Sequence, residues 1–334
     1  MKNKFLFLGI LLGIVVGIFT ILFGLEFYFQ IKTFSLPPND HPRVTWGHKV
    51  VNNRFGFREK EFALAHPSDT FRIMVLGDSF TWGMGLGVSE RYSNLLQQYL
   101  RQAYPTKKIE VLNFAMPGGA TENQRDVLQR FYQVIHPDLV IVGFCLNDTQ
   151  NQRMDFSPER EYFIRKIGPW LGFLQRCQLP GSAYMVQRIY QNILVMTGQV
   201  PSWPDALDRT YRKNSGAWQS FAAALKEIAQ MSREVSQREP IFISLNQGIS
   251  NVRPTDYNHP DLLLKRFLGW YHQAESVAKE HGFIAVNCES EFKNELKTHV
   301  MAVVKGGDMH PDAAMNKIYA RKLFEVIRAQ RWLD

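Results

Sequence analysis

Ser79 closes the stretch Arg72-Ile-Met-Val-Leu-Gly-Asp-Ser-Phe80, in which a short apolar run ends in Gly-Asp-Ser. Such a run predicts a buried β-strand that delivers the serine to its carboxyl end. In open α/β sheets, ligands bind where the strands end. Gly83, Gly85 and Gly87 follow, so Ser79 is a candidate nucleophile in a tight loop. The tripeptide also reads as a plain strand-to-loop turn with Asp78 and Ser79 as caps. What decides is whether partners appear downstream at other strand ends. Three do: Gly118 within Met116-Pro-Gly-Gly-Ala-Thr121, Asn147 within Leu146-Asn-Asp148, and Gly307-Asp-Met-His-Pro311 ahead of the last helical pattern.

Other chemistries fail on their spacing. Gly77-Asp-Ser-Phe-Thr81 lacks the second glycine of the Gly-x-Ser-x-Gly elbow. Gly83-Met-Gly-Leu-Gly87 is an incomplete dinucleotide fingerprint, and no Walker lysine follows it. No His-Glu-x-x-His or Cys/His spacing points to a metal. The expectation is a site without metal or cofactor.

The elements that must hold these residues follow in order. Strands are expected at 72–76, 108–115, 138–146, 241–245 and 283–286. Helical patterns are expected from Ser89, read as an N-cap, to about Tyr104 with Leu95, Leu96 and Leu100 on its apolar face, and up to about Ile135 after Thr121. Others cover 215–238, 261–280 and 312–330. Strands alternating with helices imply an α/β fold with a parallel sheet covered on both faces. The segment from about 150 to 215 is too long for a simple crossover. It reads as a helical insertion with patterns at Glu159–Cys177 and Ala183–Thr197 and a Pro/Trp loop, Val200-Pro-Ser-Trp-Pro204.

The first residues carry a different signal. Phe5 to Leu25 is apolar and uncharged, preceded by Lys2 and Lys4 and followed by Phe27, Tyr28 and Phe29. About 20 apolar residues span a bilayer, and aromatics favour its interface. A cleaved signal peptide is the alternative, but the apolar run is long and no Ala-x-Ala-like site follows. The expected organisation is therefore an anchor over 1–31, a linker and docking segment over 32–70, and a catalytic domain over 71–334 facing the periplasm or cell exterior. In the docking segment, Asn53-Arg-Phe-Gly-Phe-Arg58 is expected to pack against the domain edge, with a substrate role for Arg58 as the alternative.

Composition narrows the classes. The chain has 334 residues, 45% hydrophobic and 21% charged, with a formal net charge of +8. This is globular, and the scattered Lys and Arg form no nucleic-acid arm. Cys145, Cys177 and Cys288 give no dense disulfide framework, and a Cys177–Cys288 bridge stays open.

The four blocks Gly77-Asp-Ser-Phe80, Asn113-Phe-Ala-Met-Pro-Gly118, Leu146-Asn-Asp148 and Asp308-Met-His-Pro311 together resemble the SGNH, or GDSL, hydrolase superfamily, in its membrane-anchored bacterial type. The resemblance spans about 72–330. It implies a three-layer α/β/α sandwich with a flavodoxin-like five-stranded sheet, and a serine esterase acting on acyl or acetyl esters. It also implies an oxyanion hole built from the backbone N–H groups of Ser79 and Gly118 and the side-chain amide of Asn147. A serine needs an adjacent base, for which His310 is the candidate, and Asp308 is the candidate to orient it. Two positions depart from the family pattern. Asp308 stands two residues before His310 where Asp-x-x-His is usual, which leaves Asp312 as the fallback. Cys145 stands where a glycine is usual, and reads as core packing.

Structural roles stay open beside these: Gly118 for its turn, Asn147 as a strand-end cap or sequon residue, His310 as a helix cap. Asp78 and Asp148 read as structural hydrogen-bonders. Trp82, Trp170 and Trp203 suggest an aromatic-lined pocket for an ester-bearing small molecule, glycan or lipid. Two further function classes compete: an O-acetyltransferase of an envelope polysaccharide, and a non-catalytic glycan-binding protein of the same fold.

Overall fold

The alternation resolves into one sheet of five strands: β1 (Thr70–Gly77), β2 (Lys108–Asn113), β3 (Leu139–Phe144), β4 (Ile241–Ser244) and β5 (Ile284–Val286). The computed structural model describes residues 2–32, 44–150, 158–177, 179–247, 262–295 and 309–334. All pairs within this sheet are parallel, and the spatial order is β2-β1-β3-β4-β5; Val44–Thr45 and His48–Lys49 form a separate antiparallel pair. This is the flavodoxin-like order, with the topological switch point between β1 and β3. The helices are α1 (Lys2–Lys32), α2 (Ser79–Trp82), α3 (Tyr92–Ala103), α4 (Thr121–Ile135), α5 (Pro158–Arg176), α6 (Pro180–Met196), α7 (Trp203–Thr210), α8 (Gly216–Ser236), α9 (Leu262–Glu280), α10 (Glu289–Glu295) and α11 (Ala313–Ala329).

Each strand sends alternate side chains to opposite faces. On β1, Ile73 and Val75 pack with Leu96 and Leu100 of α3 and with Ile318 and Leu323 of α11. Met74 and Leu76 face the other way, onto Leu128 of α4, Phe221 and Leu225 of α8, and Tyr271 of α9. Both faces of the sheet are therefore covered, giving three layers. Burial on both faces explains why β1 and β3 read as unbroken apolar runs instead of alternating ones.

Two local expectations are corrected. Ser89 does not cap α3: it lies in a 3₁₀ turn, Val88–Glu90, and α3 begins three residues later at Tyr92. The Glu90 carboxylate there accepts the Gly87 N–H at 2.7 Å. The Pro/Trp stretch is not all loop either. Ser202 caps α7, and Pro204 falls in the first turn, where its missing N–H has no helical partner to lose.

The chain divides into two compact units, Met1–Val50 with Ser157–Pro201, and Val51–Phe156 with Ser202–Asp334. In the first, α1 is one continuous helix, and Gly9–Tyr28 is long and apolar enough to cross a membrane, a test that a signal sequence also passes. The second holds the sheet, and its docking segment packs as the sequence predicts: Phe57 lies 4.7 Å from Phe114 and 5.7 Å from Phe131 between ring centroids.

Gly77 and Gly143 are register partners on β1 and β3. A Cβ on either would overlap Thr81 Oγ1, and one on Gly143 would also meet Tyr92 Oη at 2.5 Å and Leu245 Cδ1 at 2.9 Å. The absent side chains are the space into which α2 settles, with the Thr81 and Tyr92 hydroxyls hydrogen-bonded at 3.0 Å. Gly143→Ala is expected to cost about 1–3 kcal/mol through overpacking. Urea unfolding checks this as a lower midpoint with an unchanged slope.

Candidate active site

Ser79 is the first residue of α2, directly after β1. The helix starts there because Asp78 caps it: Oδ1 accepts the Phe80 N–H at 2.9 Å. The other oxygen of the same carboxylate, Oδ2, faces Ser79 Oγ at 3.1 Å, Asn147 Nδ2 at 3.3 Å and Cys145 Sγ at 3.0 Å. Asp78 is fully buried, so these bonds replace the water it has lost.

His310 comes from the far end of the chain. Its Nε2 lies 2.9 Å from Ser79 Oγ, between residues 231 apart in sequence. Its ring packs on Phe80 at 4.8 Å between centroids. Two residues set its backbone. Asp312 caps α11 by accepting the Met315 N–H at 3.0 Å. Asn316, buried, accepts the Tyr92 N–H at 3.0 Å and donates to the Pro311 and Asp312 carbonyls at 3.3 and 2.9 Å. The start of α11 is thereby tied to the start of α3. Asp308 lies outside the described residues.

Gly118 sits in the turn after β2 at φ +73, a left-handed conformation that favours glycine. A Cβ there would meet nothing within 4 Å, so the backbone angle, not crowding, calls for glycine. The Met116 N–H donates to Gly77 O at 3.1 Å, which hangs this turn beside the serine loop. Asn147 lies in a 3₁₀ turn, Leu146–Thr149, immediately after β3. Ser79, Gly118, Asn147 and His310 all keep access to solvent, whereas Asp78, Cys145 and Asp148 beneath them are buried.

A serine hydroxyl against an imidazole nitrogen, over a buried carboxylate and next to a side-chain amide, is the arrangement of acyl transfer. The model of the GDSL-like lipase/acylhydrolase family matches residues 75–318. The chain belongs to that family. No curated protein sequence matches it. Similar solved structures include a catalytic mutant of Axe2, an acetylxylan esterase from Geobacillus stearothermophilus, at 15% identity and TM-score 0.46 over 77% of this chain and 93% of that one. LAE5, an alpha/beta hydrolase enzyme from the metagenome of Lake Arreo, Spain, matches at 16% and 0.45 over 79% and 97%. TesA matches at 15% and 0.42 over 77% and 98%.

This GDSL-family site also rests on two buried arginines outside the sequence blocks. Arg58 is buried, and its guanidinium donates to the carbonyls of Gly83 at 2.9 Å and Leu86 at 2.7 Å while lying 4.6 Å over the Trp82 ring. It positions the loop after the serine. Burial, with the Arg91 charge beside it, pulls its pKa down to about 10, so it remains charged at neutral pH. Arg91, also buried, donates to Arg58 O at 2.7 Å and pairs with Glu59 at 3.4 Å. Asn113 donates to Thr81 O at 2.7 Å and Ser93 Oγ at 3.0 Å. The aromatic expectation is corrected for Trp82, which is buried under Arg58. Trp203 is half-buried and packs edge-on against Phe267 at 5.6 Å. Trp170 is exposed. All three cysteines are free thiols.

Among the described residues, Asp78, Cys145 and Asp148 form the one group of three that could hold a metal ion. Its atoms are already spent on hydrogen bonds. Asp148 Oδ2 accepts the Cys145 N–H at 3.1 Å and Gln124 Nε2 at 3.1 Å, and Cys145 Sγ lies 2.7 Å from Asn147 Oδ1. Burial, then the Asp78 charge, pushes the Asp148 carboxyl well above the usual range, and burial does the same to the Cys145 thiol. Bound metal would require both protons to leave. Cys145 is thus more than core filling, because it links the carboxylate under Ser79 to the amide of Asn147.

Two outcomes are expected. Arg58→Met removes the guanidinium donor from the Leu86 carbonyl and one of two donors from Gly83 O, and is expected to cost about 1–3 kcal/mol, read from urea unfolding. Burial and the Asp78 charge hold the Asp148 carboxyl above the usual range in the folded state, whereas the unfolded chain releases its proton above about pH 4. The stability this group contributes is therefore present below that point and is lost as pH rises above it. Asp148→Asn keeps an acceptor for Cys145 and Gln124 but has no proton to lose. Its melting temperature relative to wild type is expected to rise as pH is raised from about 4.

Proposed function

We propose that this chain is a membrane-anchored serine esterase that hydrolyses acyl or acetyl esters of cell-envelope glycans or lipids outside the cytoplasm. The observation that carries the reading is the 2.9 Å contact between His310 Nε2 and Ser79 Oγ. His310 takes the serine proton as Oγ attacks the ester carbonyl. The carbonyl π electrons move onto its oxygen, and the tetrahedral oxyanion is met by the N–H groups of Ser79 and Gly118 and by Asn147 Nδ2. Collapse expels the alkoxide, which His310 protonates. Water, deprotonated by His310, then releases the acid from the acyl-enzyme. Asp308 orients the imidazole and stabilises its charged form.

The Asp78 carboxylate supports this assignment by holding both ends of the chemistry. It places Ser79 at the head of α2 and turns the Asn147 amide toward the same point, because Asn147 Nδ2 and Ser79 Oγ share one carboxylate oxygen. Anchoring rests on the apolar helix α1.

Ser79→Ala and His310→Ala are each expected to lower kcat/KM on short p-nitrophenyl esters by at least about 10³-fold. A fluorophosphonate probe is expected to label wild type and not Ser79→Ala. Esterase activity that survives in purified, folded Ser79→Ala overturns the assignment.

A further inference from the structure

In the first unit, α1 carries a carboxylate inside its own apolar span. Glu26 lies within Gly9–Tyr28, two residues from the span's end, and is 4% exposed. An ionised side chain at that depth is costly unless it is paired. Its partners are at the start of α6: Oε1 accepts the Gly181 N–H at 3.0 Å, and Oε2 accepts the Ser182 N–H at 2.9 Å and the Ser182 hydroxyl at 3.2 Å. The first turn of a helix offers unpaired N–H groups and a positive dipole end, so the match is electrostatic as well as geometric.

This contact fixes depth. At 1.5 Å per residue, Glu26 sits only about 3 Å along the axis from the end of the span. The beginning of α6 must therefore lie at the boundary of the apolar layer that receives α1. The rest of α6 is built for such a place. Met185, Ile189, Ile193 and Met196 recur at helical spacing along one stripe, and all are exposed, Ile189 at 55% and Met196 at 86%. Arg188 and Asn192 border that stripe. The opposite face, with Ala183 and Leu194, is buried. On α5, Tyr162, Lys166, Trp170 and Phe173 likewise form an exposed stripe, with the Lys166 ammonium 4.4 Å over the Tyr162 ring. Apolar side chains left exposed, bordered by basic residues and attached to a membrane-spanning helix, describe an interfacial amphipathic element.

We propose that the α5–α6 hairpin is a second membrane-contacting element: it is docked on α1 through Glu26, with the Met185–Met196 stripe of α6 seated in the acyl–headgroup boundary of the same bilayer. The proposal rests on the anchor reading above and adds to it that α1 is retained, because removing it would strip α6 of its cap.

The test uses the full chain in vesicles of phosphatidylethanolamine and phosphatidylglycerol. Ile189→Cys and Ile193→Cys are each made with Cys177→Ser and labelled with the environment-sensitive fluorophore NBD, leaving the buried Cys145 and Cys288 in place. Vesicles without doxyl lipid serve as the control. The expected result is a blue-shifted emission at 189 and 193 that shallow doxyl lipids quench several-fold relative to those vesicles. Water-like, unquenched emission at both positions, in protein that still resists extraction by alkaline carbonate, overturns the hairpin proposal alone. Blue-shifted emission that lipid does not quench, with disulfide-linked dimers through the same cysteines in the unlabelled variants, overturns it in favour of a second copy of the chain. Extraction by carbonate overturns the anchor reading itself.

Discussion

One buried carboxylate organises the candidate site. Asp78 has no water to lean on, so every lone pair it can satisfy must be met by protein. The groups that meet it are the first turn of α2, the Ser79 hydroxyl, the Cys145 thiol and the Asn147 amide. A single charge therefore sets the start of a helix and turns two side chains from different strand ends toward one point. Burial costs the carboxylate its hydration, and these hydrogen bonds offset that cost because each is stronger out of water.

The sheet order makes this convergence available. β1 and β3 are neighbours at the switch point, and β2 flanks β1 on its other side. The loops after these three strands carry Ser79, Asn147 and Gly118, so residues distant in sequence meet because their strands end together. Two glycines in register let α2 settle onto the strand ends. From outside, the Arg58 guanidinium takes up the carbonyls of Gly83 and Leu86.

The sequence carried much of this plainly. Five apolar runs bounded by turn residues marked five strands, and the two-sided burial of a parallel sheet is why those runs were so legible. Ser79, Gly118, Asn147 and His310 could be named because each falls at a strand end or just before the last helix. What escaped was cooperation between residues without local pattern. Arg58 looked like part of a docking segment, and only the closed loop at 82–86 gives its guanidinium a purpose. Cys145 looked like filler, yet its thiol faces two acceptors from different strand ends. Ser89 had the composition of a cap, but the Glu90 carboxylate reached the Gly87 N–H and drew the chain into a 3₁₀ turn first. Asp148 read as a structural hydrogen-bonder and is one, while burial beside Asp78 also raises its carboxyl above the usual range.

The serine and the imidazole are separated by 231 residues, and the imidazole stands just before the final helix. That helix reaches its place by docking on α3, where Asn316 takes the Tyr92 N–H. The hydroxyl therefore meets its imidazole only once the final helix has packed, so a chain whose sheet has already closed still lacks that pair.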